Sequence, residues 1–412
     1  MTIPPVNYKV PAGLEAIPLH LLDLRPESAI DHELTQHSPV TDDKNVWFYW
    51  HNGYQNMFPA AQRTVRTYHR RLAKLGWTVR VVDRAAGSPL NIARLLDVSD
   101  PALFPAAFRD GTIGSDYPAQ VYSDLVRFPL LLRFGGLYAD TGVLPIGDVD
   151  RLWRETVGNS ASPYEILTFG QARGQTVTNY FMAAKRGNAL FQLCHRFLLK
   201  LWGEDGGRTS PQGMHRSALF RGLPLAGEGN AALTWTENGR TVALDEGRRL
   251  LTDYLFQGQA INMVMGTVDE ELGWDGPRYG REHVFAVDFL TGSQLINQLT
   301  RWDGARQFEL LSLRLPADGE EETADQREAR GIVEQCLARS FAFKLATGLI
   351  LRVMGDTLGA LWKKNAESDN RPNTYAHWFR HATTYYSQKE LPVPVDVFLI
   401  EPIKRGRLLG EE

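Results

Sequence analysis

Residues 123–143 are SDLVRFPLLLRFGGLYADTGV, a run in which a helical pattern is followed by a turn and a strand pattern. Apolar residues from 125 to 132 recur at the spacing of one helix face. A double glycine then ends the helix and turns the chain. Residues 137–144 predict a buried strand that is interrupted by Asp140. The run therefore predicts a helix followed directly by a strand of an α/β core.

Three polar residues, Asp124, Arg127 and Asp140, lie inside this apolar run. A buried carboxylate costs several kcal/mol unless it is paired, hydrogen-bonded or bound to a metal, so the run predicts a functional site. Asp124 and Arg127 are three apart and share one helix face, where they either form an ion pair with each other or face a cleft. Asp140 either serves the site or caps the turn that follows it.

The pattern Ser-Asp-x-x-Arg followed by Gly-Gly-x-Tyr-x-Asp resembles the signature of sugar-nucleotide glycosyltransferases with a DxD motif. It is most similar to that of the capsular-polysaccharide-synthesis-like proteins and the family 32 glycosyltransferases, and the similarity is dense over residues 115–150. One position departs from the signature, because Gly142 stands where the second acid is expected. The motif here is Asp140-Thr141-Gly142.

The resemblance implies transfer of a sugar from a nucleotide-sugar donor to an unknown small-molecule or glycan acceptor, with retention of configuration. It implies that Asp140 is a catalytic residue and anchors a divalent cation, Mn²⁺ or Mg²⁺. It also implies that Asp124 and Arg127 are catalytic residues, Asp124 by holding donor hydroxyls and Arg127 by contacting the sugar or phosphate. Because Gly142 supplies no carboxylate, the cation would be held by one acid, phosphates and water, or be replaced by a basic residue. On a continuous strand, side chains at 140 and 142 would point the same way.

A strand–helix–strand pattern precedes the run, with an apolar strand at 45–49, a helix at 59–75 and a second strand at 77–82. This spacing predicts a βαβ unit and hence a parallel sheet. Ligands of such sheets bind beyond the carboxyl ends of the strands. Trp50 and Asp83 follow the two strands and are therefore expected at the edge where a nucleotide binds.

Trp50 resembles the tryptophan that stacks on the nucleotide base in this family. In single-stranded nucleic-acid binders such stacking contributes ~1–3 kcal/mol per base. Trp50 could equally be a core residue, since the chain has 10 tryptophans. Gly53 would allow close approach of the backbone to the donor, or simply form a turn. The resemblance thus implies that Trp50, Gly53, Asp124 and Arg127 form the donor-binding site.

The resemblance implies a GT-A-like (Rossmann-like) α/β fold, with a mostly parallel sheet flanked by helices and a helical C-terminal extension. We predict an N-terminal arm at 1–44, the nucleotide-sugar-binding catalytic domain at 45–300 and a mainly helical C-terminal region at 301–412. Residues 338–364 predict one long basic amphipathic helix. Such a helix either packs on the core or makes a peripheral membrane contact.

The 412-residue chain has a net charge of −3, which argues against nucleic acid as a partner. Cys194 and Cys336 are too few for a disulfide framework and are expected to be reduced thiols. The N-terminal residues lack the pattern of a secretory signal, and no segment approaches the roughly 20 apolar residues that span a bilayer. We therefore expect a cytoplasmic protein without a transmembrane segment.

The remaining candidate ligands do not form a compact set in the sequence. His377 and His381 are expected on one structural helix face, and Asp148 and Asp150 in a structural turn. The loss of the second acid leaves two alternatives to a sugar-nucleotide transferase. One is a different reaction on the same scaffold, and the other is a non-catalytic protein that binds sugar nucleotides or glycans.

Overall fold

The computed structural model describes residues 8–171, 177–227, 233–237, 239–317, 319–396 and 401–410. The first seven residues of the predicted N-terminal arm lie outside these ranges. The remainder of that arm, residues 8–44, contains a short strand and a helix that are named below.

The strands are β1 (Leu14–Ala16), β2 (Asn45–Tyr49), β3 (Thr78–Val82), β4 (Gly136–Ala139), β5 (Val143–Pro145), β6 (Ile166–Gly170), β7 (Val177–Ala184), β8 (Trp235–Glu237), β9 (Arg240–Val242), β10 (Thr267–Asp269), β11 (Trp274–Asp275), β12 (Val284–Asp288), β13 (Ala342–Lys344), β14 (Tyr386–Gln388) and β15 (Lys404–Arg405).

The α-helices are α1 (Glu27–Leu34), α2 (Pro59–Leu72), α3 (Ala106–Arg109), α4 (Pro118–Phe134), α5 (Val149–Glu155), α6 (Ala189–Gly203), α7 (Leu244–Tyr254), α8 (Phe256–Met265), α9 (Gly276–His283), α10 (Phe289–Ser293), α11 (Leu295–Leu299), α12 (Gly304–Ser312), α13 (Ala324–Arg339), α14 (Leu349–Met354), α15 (Leu358–Lys364) and α16 (Tyr375–Tyr385).

A mixed sheet forms the centre of the fold, and in the described part of the chain its strand order is β12-β6-β7-β4-β2-β3. β2 pairs in parallel with β3 and β4, and β12 pairs in parallel with β6. β7 is antiparallel to both β4 and β6. The other five strands therefore share one direction among the described residues, which agrees with the predicted, mostly parallel sheet.

Helices cover both faces of this sheet because successive strand residues point to opposite sides. Trp47 and Tyr138 belong to a buried cluster that includes residues of α4, α6 and α8. Val46 and Leu137, one position earlier on the same strands, belong to a second cluster that includes residues of α1, α2 and α5. The fold is thus a mixed α/β architecture with a central sheet flanked by helices.

The predicted βαβ unit is present with nearly the predicted bounds, as β2, α2 and β3. Pro59 occupies the first turn of α2, where its missing N–H costs no hydrogen bond. A 3₁₀ turn, Ala73–Leu75, extends the helix to Gly76, which has a left-handed φ of 87°. Gly76 can adopt this conformation without strain because it has no Cβ.

The predicted helix and double-glycine turn are also present, since α4 ends at Phe134 and is followed by Gly135 and Gly136. Gly136 has a φ of 103° and begins β4. A Cβ placed there would lie 2.3 Å from the carbonyl oxygen of Asn45. Only glycine therefore lets α4 turn directly into a strand beside β2.

The prediction of one strand over residues 137–144 is wrong. β4 ends at Ala139, residues 140–142 form a turn, and β5 begins at Val143. The backbone N–H of Val143 donates to the carbonyl of Asp140 at 2.9 Å, which closes this turn. β5 leaves the central sheet and pairs antiparallel with β13. Residues 140 and 142 are consequently not two positions on one extended strand.

The prediction of one long helix over residues 338–364 is also wrong. α13 ends at Arg339, β13 follows, and α14 and α15 are short separate helices. Gly348 and Gly355 flank α14 with positive φ values of 67° and 75°, which are not helical. A continuous basic face does not form, so this argument for a membrane contact no longer applies.

The C-terminal region packs against the sheet domain at several points. Arg71 of α2 is buried and donates to the carbonyl oxygens of Pro145, Gly147 and Thr383, the last of which lies in α16. No helix in the described residues is long and apolar enough to cross a membrane. The division into an arm, a catalytic domain and a C-terminal region stays a prediction.

Candidate active site

The sequence-predicted site residues lie at the carboxyl edge of the central sheet. Asp140 follows β4, Trp50 follows β2 and Asp83 follows β3. These strands are neighbours and run in parallel, so their carboxyl ends meet at one edge. The backbone N–H of Asp140 donates to the carbonyl of Tyr180 at 2.8 Å, which anchors the turn to β7. This edge is where ligands of open α/β sheets bind.

Four charged side chains meet here, and we call Asp124, Arg127, Asp140 and Lys344 the charged cluster. Arg127 Nη2 lies 2.8 Å from Asp124 Oδ1 and 3.3 Å from Asp140 Oδ1. Lys344 Nζ lies 2.8 Å from Asp140 Oδ2. The structure thus brings together the three polar residues singled out in the sequence and adds a lysine that the sequence analysis assigned to a basic helix.

Asp124 and Arg127 are not a surface ion pair, because their side chains are only 12% and 3% exposed. Arg127 lies over the Tyr138 ring, 4.8 Å from its centroid, and its Nε is buried with no hydrogen-bond partner in the described residues. Burial raises the pKa of the Asp124 carboxyl above its usual range, and the adjacent guanidinium offsets part of that rise. A buried ion pair contributes little net stability, because the cost of removing both charges from water offsets their attraction. This favours a role for Asp124 and Arg127 beyond helix stability.

Asp140 is the most open member of the charged cluster, with 29% of its side chain exposed, whereas Lys344 is 14% exposed. Both of its carboxylate oxygens nevertheless have a cationic neighbour, Arg127 at Oδ1 and Lys344 at Oδ2. The cluster contains two acids and two bases, so its formal charge is balanced.

Lys344 is placed by backbone pairing rather than by a local motif. β13 runs antiparallel to β5 with Lys344 opposite Val143, and the N–H of Leu345 donates to the carbonyl of Gly142 at 2.8 Å. Its ammonium also lies 5.0 Å from the centroid of the Tyr180 ring. No sequence pattern marks Lys344, because its partner Asp140 is 204 positions away in the chain.

Two amide side chains that the sequence analysis missed, Asn179 and Gln257, belong to residues that contact Asp124 and Arg127. Asn179 of β7 donates from Nδ2 to Asp124 Oδ1 at 3.2 Å and to Gln257 Oε1 at 3.0 Å. The backbone carbonyl of Asn179 accepts a hydrogen bond from the Arg127 guanidinium. The fully buried side chain of Gln257 in α8 donates to the backbone carbonyl of Asp124. These contacts come from elements distant in sequence, so only the tertiary structure reveals them.

Trp50 is half-buried and packs edge-on against Phe58, with 5.5 Å between the ring centroids. Its Nε1 donates to the carbonyl of Asn56 at 3.3 Å. The indole therefore has a structural contact on one side and remains partly open at the sheet edge. Both interpretations of Trp50, base stacking and packing, are compatible with this position.

Gly53 is required by the backbone, since its φ is 85°. A Cβ there would lie 3.2 Å from Asp83 Oδ2. Asp83 accepts hydrogen bonds from Ala85 N at 3.0 Å and Ser88 Oγ at 2.6 Å, while burial raises the pKa of its carboxyl. The close neighbour of Gly53 in the structure is thus the Asp83 side chain, and the predicted approach of the Gly53 backbone to a donor stays a prediction.

The residues expected to be structural have structural partners. Asp148 caps α5 by accepting from Arg151 N at 2.9 Å. The prediction that Asp150 lies in a turn is wrong, because Asp150 is in the first turn of the helix α5. It lies 2.9 Å from Lys44 Nζ and accepts from Trp77 Nε1 at 2.9 Å. Other residues that the sequence analysis considered have ring contacts or are buried as free thiols: His377, His381, Cys194 and Cys336.

The charged cluster does not match the donor set of the divalent cation that the resemblance implies. Mg²⁺ in such sites is bound through one or two carboxylates together with substrate phosphates and waters, so it depends on a carboxylate that is free to ligate it. Asp140 is the acid at the turn, Gly142 supplies none, and an ammonium already occupies Asp140 Oδ2. Within the described residues, no three His, Cys, Asp or Glu side chains are grouped closely enough to hold a metal ion.

Comparison with known proteins bears on what this site does. The family described as "Capsular polysaccharide synthesis protein" matches residues 23–207. The chain is 32% identical over 391 residues to the O-glycosyltransferase braB of Annulohypoxylon truncatum, covering 94% of this chain and 90% of that protein. It is 32% identical over 376 residues to the glycosyltransferase afumC of Aspergillus fumigatus, covering 90% and 92% respectively.

A third relative, the O-glycosyltransferase PaGT of Phomopsis amygdali, is 30% identical over 402 residues, which cover 95% of this chain and 94% of that protein. These matches extend well past the 123–143 run and include the segment that carries Lys344. With this similarity over nearly the full length of each relative, the chain belongs to the capsular polysaccharide synthesis family and is a glycosyltransferase.

Proposed function

We propose that the enzyme transfers a sugar from a nucleoside-diphosphate sugar to a hydroxyl group of an acceptor. The charged cluster carries this proposal, because two acids and two bases meet in a largely buried position at the ligand-binding edge of the sheet. An acceptor hydroxyl is also suggested by the relatives braB and PaGT, which are named O-glycosyltransferases. We further propose a GT-A-like arrangement of the donor along this edge and a cytoplasmic location.

The cluster offers the two kinds of group that a nucleotide sugar needs. The Arg127 guanidinium can donate charge-assisted hydrogen bonds to a diphosphate, which are about twice as strong as neutral ones. The Asp124 and Asp140 carboxylates can accept hydrogen bonds from sugar hydroxyls. We assign Asp124 to the donor hydroxyls and Arg127 to the diphosphate or sugar. Asp140 orients the positively charged side chains of Arg127 and Lys344.

The base of the donor is proposed to lie near Trp50 and Gly53. Trp50 follows β2, the strand next to β4, so the indole and Asp140 lie at the same edge. A nucleoside diphosphate reaching from Trp50 to Arg127 would follow this edge, with its sugar facing Asp124. Stacking on the indole would add about 1–3 kcal/mol to donor binding.

We propose that the acceptor oxygen attacks the anomeric carbon on the same face from which the diphosphate departs, so the anomeric configuration is retained. The bond between the anomeric carbon and the diphosphate oxygen breaks, and its electron pair stays on that oxygen. The bond between the anomeric carbon and the acceptor oxygen forms on the same face, and the acceptor proton passes to the departing diphosphate. Cationic side chains fixed beside the diphosphate stabilise the developing negative charge without reorganising.

A thermal-shift screen against UDP-, GDP- and TDP-sugars, in EDTA and in Mn²⁺, tests this function. We expect at least one nucleotide sugar to raise the melting temperature of the parent and of an Arg133→Ala control. Arg133 is exposed and lies on the same helix as Arg127. The positive donor is then incubated with hydroxyl-bearing acceptors, and the anomeric configuration of the product is read by NMR.

Each alternative function gives a different result in the same experiment. Stabilisation by a nucleotide sugar without transfer to any acceptor would favour a binding protein. No stabilisation by any nucleotide sugar would favour a different reaction on this scaffold. An inverted product would contradict retention while leaving the donor class intact.

A further inference from the structure

The turn at residues 140–142 places a lysine where the family signature leads one to expect an acid and a cation. Gly142 has no side chain, and a Cβ built on it would lie 3.9 Å from Lys344 Nζ and 3.1 Å from the carbonyl oxygen of Leu345. A carboxylate at position 142 would thus extend toward the ammonium of Lys344. The ammonium occupies the space beside Asp140 into which the second acid of the motif would reach.

Backbone pairing and the bond to Asp140 place the Lys344 ammonium beside the turn. The β5–β13 pairing continues up to the turn, where Leu345 N bonds to the Gly142 carbonyl. Its Nζ donates to Asp140 Oδ2, and an ammonium has three donors in all. Among the described residues, the Lys344 ammonium uses one of its N–H groups, in the bond to Asp140. Because 14% of the side chain is exposed, the other N–H groups remain available to a ligand at the sheet edge.

A divalent cation and Lys344 would compete for the same carboxylate. A Mg²⁺ ion ligated by Asp140 would lie about 2.0–2.1 Å from a carboxylate oxygen. Lys344 Nζ is already 2.8 Å from Asp140 Oδ2. Like charges at such separations repel strongly in a partly buried site, where screening by water is weak. A diphosphate, in contrast, is attracted to this position, because the side chains of Arg127 and Lys344 are both positively charged.

We propose that Lys344 contacts the diphosphate of the donor and supplies the positive charge that a divalent cation supplies in a DxD enzyme. This inference rests on the proposed function and assigns a catalytic residue from the C-terminal region to it. When the anomeric C–O bond breaks, the electron pair remains on the diphosphate oxygen, and the Lys344 ammonium stabilises that charge without giving up its proton. The acceptor proton still goes to the departing diphosphate, so Lys344 is cationic before and after transfer.

Titration calorimetry with UDP, GDP and TDP, in EDTA and then in Mn²⁺, tests the inference on the full chain. We expect the parent to bind a nucleoside diphosphate in EDTA, with an affinity that Mn²⁺ changes less than about threefold. Lys344→Ala should weaken that binding at least about 10-fold, the loss expected for one charge-assisted hydrogen bond. Lys344→Arg should restore most of it because the charge is retained.

The matched control is Lys364→Ala, since Lys364 is exposed at the end of α15. Thermal melts of all variants in the absence of ligand separate a loss of binding from a loss of fold, and Lys344→Arg addresses the same question by binding. If Lys344 only supported the turn at Asp140, Lys344→Ala would change the melting temperature but not the affinity for a nucleoside diphosphate.

Two results would overturn the inference, and they are distinguishable from each other. Binding that appears only with Mn²⁺, and is unchanged or tighter in Lys344→Ala, would show that Asp140 holds a cation; the proposed donor class would survive. Absence of UDP, GDP and TDP binding under every condition would contradict the proposed function itself, and the role of Lys344 would fall with it.

Discussion

The guanidinium of Arg127 lies 3.3 Å from Asp140 and so joins the long helix α4 to the turn that follows β4. The same Nη2 atom lies 2.8 Å from Asp124, one helical turn earlier on α4. Arg127 therefore bridges two acids that are 16 residues apart in the chain. A change at any of the three residues alters the charge that the other two experience.

Asp140→Asn should remove activity while leaving the fold intact. Asparagine keeps the shape of the side chain but cannot hold Arg127 and Lys344 in place by ion pairing, so we expect misplacement of these cations to lower the rate of transfer at least about 100-fold. Initial rates measure the loss, and a thermal melt checks the fold. The matched control is Asp110→Asn, because Asp110 is an exposed acid after α3. Turnover within a few-fold of the parent would rule out Asp140 as a catalytic group.

Arg127→Lys should weaken donor binding more than it lowers stability. Lysine retains the charge but has no planar fork to bridge Asp124 and Asp140, so we expect donor affinity to fall about 10-fold. Arg127→Ala leaves Asp124 buried and unpaired and should also cost about 3–5 kcal/mol of the free energy of unfolding. Calorimetry with the donor and chemical denaturation measure the two effects. Equal donor affinities of the parent and Arg127→Lys would leave Arg127 with a purely structural role.

As the pH is lowered, kcat/KM should begin to fall at a pH well above the ordinary pKa of an aspartate, which is about 3.9, and so show an acid limb. Burial raises the pKa of Asp124, and Arg127, Asp140 and Lys344 are the charged groups that act on it. The ionised carboxylate pairs with Arg127, so lowering the pH through the raised pKa protonates Asp124 and reduces kcat/KM. The residual activity of Asp124→Asn should lack this limb. The same limb in parent and variant would assign it to another group.

The local patterns of this sequence predict its local structure well. Pro59 and Gly76 mark the ends of the helical segment after β2, and Gly135-Gly136 marks the turn between α4 and β4. These signals work because each depends on the conformation of a single residue and its immediate neighbours. Asp124 and Arg127 were identifiable for the same reason, since helical spacing alone places them on one face.

The parts that sequence could not predict depend on contacts between distant segments. Residues 137–144 are apolar enough for one strand, but β5 pairs with β13 rather than with the central sheet. Residues 338–364 are amphipathic enough for one helix, but the same pairing makes residues 342–344 a strand. Tertiary hydrogen bonds override local propensity here, and with them Lys344 moves from a surface helix into the charged cluster.

The last prediction concerns the acid that the motif lacks. Gly142→Asp adds a carboxylate in the turn, where a Cβ lies 3.9 Å from Lys344 Nζ. We expect the new acid to pair with Lys344 and reduce its charge toward the diphosphate, so activity should fall about 10-fold or more both in EDTA and in Mn²⁺. Gly142→Ala measures the part of the loss that comes from crowding, because a Cβ there lies 3.1 Å from the Leu345 carbonyl oxygen.

The double variant Gly142→Asp/Lys344→Ala should behave in the opposite way. It has two carboxylates at the turn and no ammonium between them, which is the arrangement that a divalent cation prefers. We expect its activity to be low in EDTA and to rise on addition of Mn²⁺, whereas the rate of Lys344→Ala alone should respond less. A rise in the activity of the single variant Gly142→Asp with Mn²⁺, above that of the parent, would mean that the parent site already holds a cation at Asp140 and that Lys344 does not replace it.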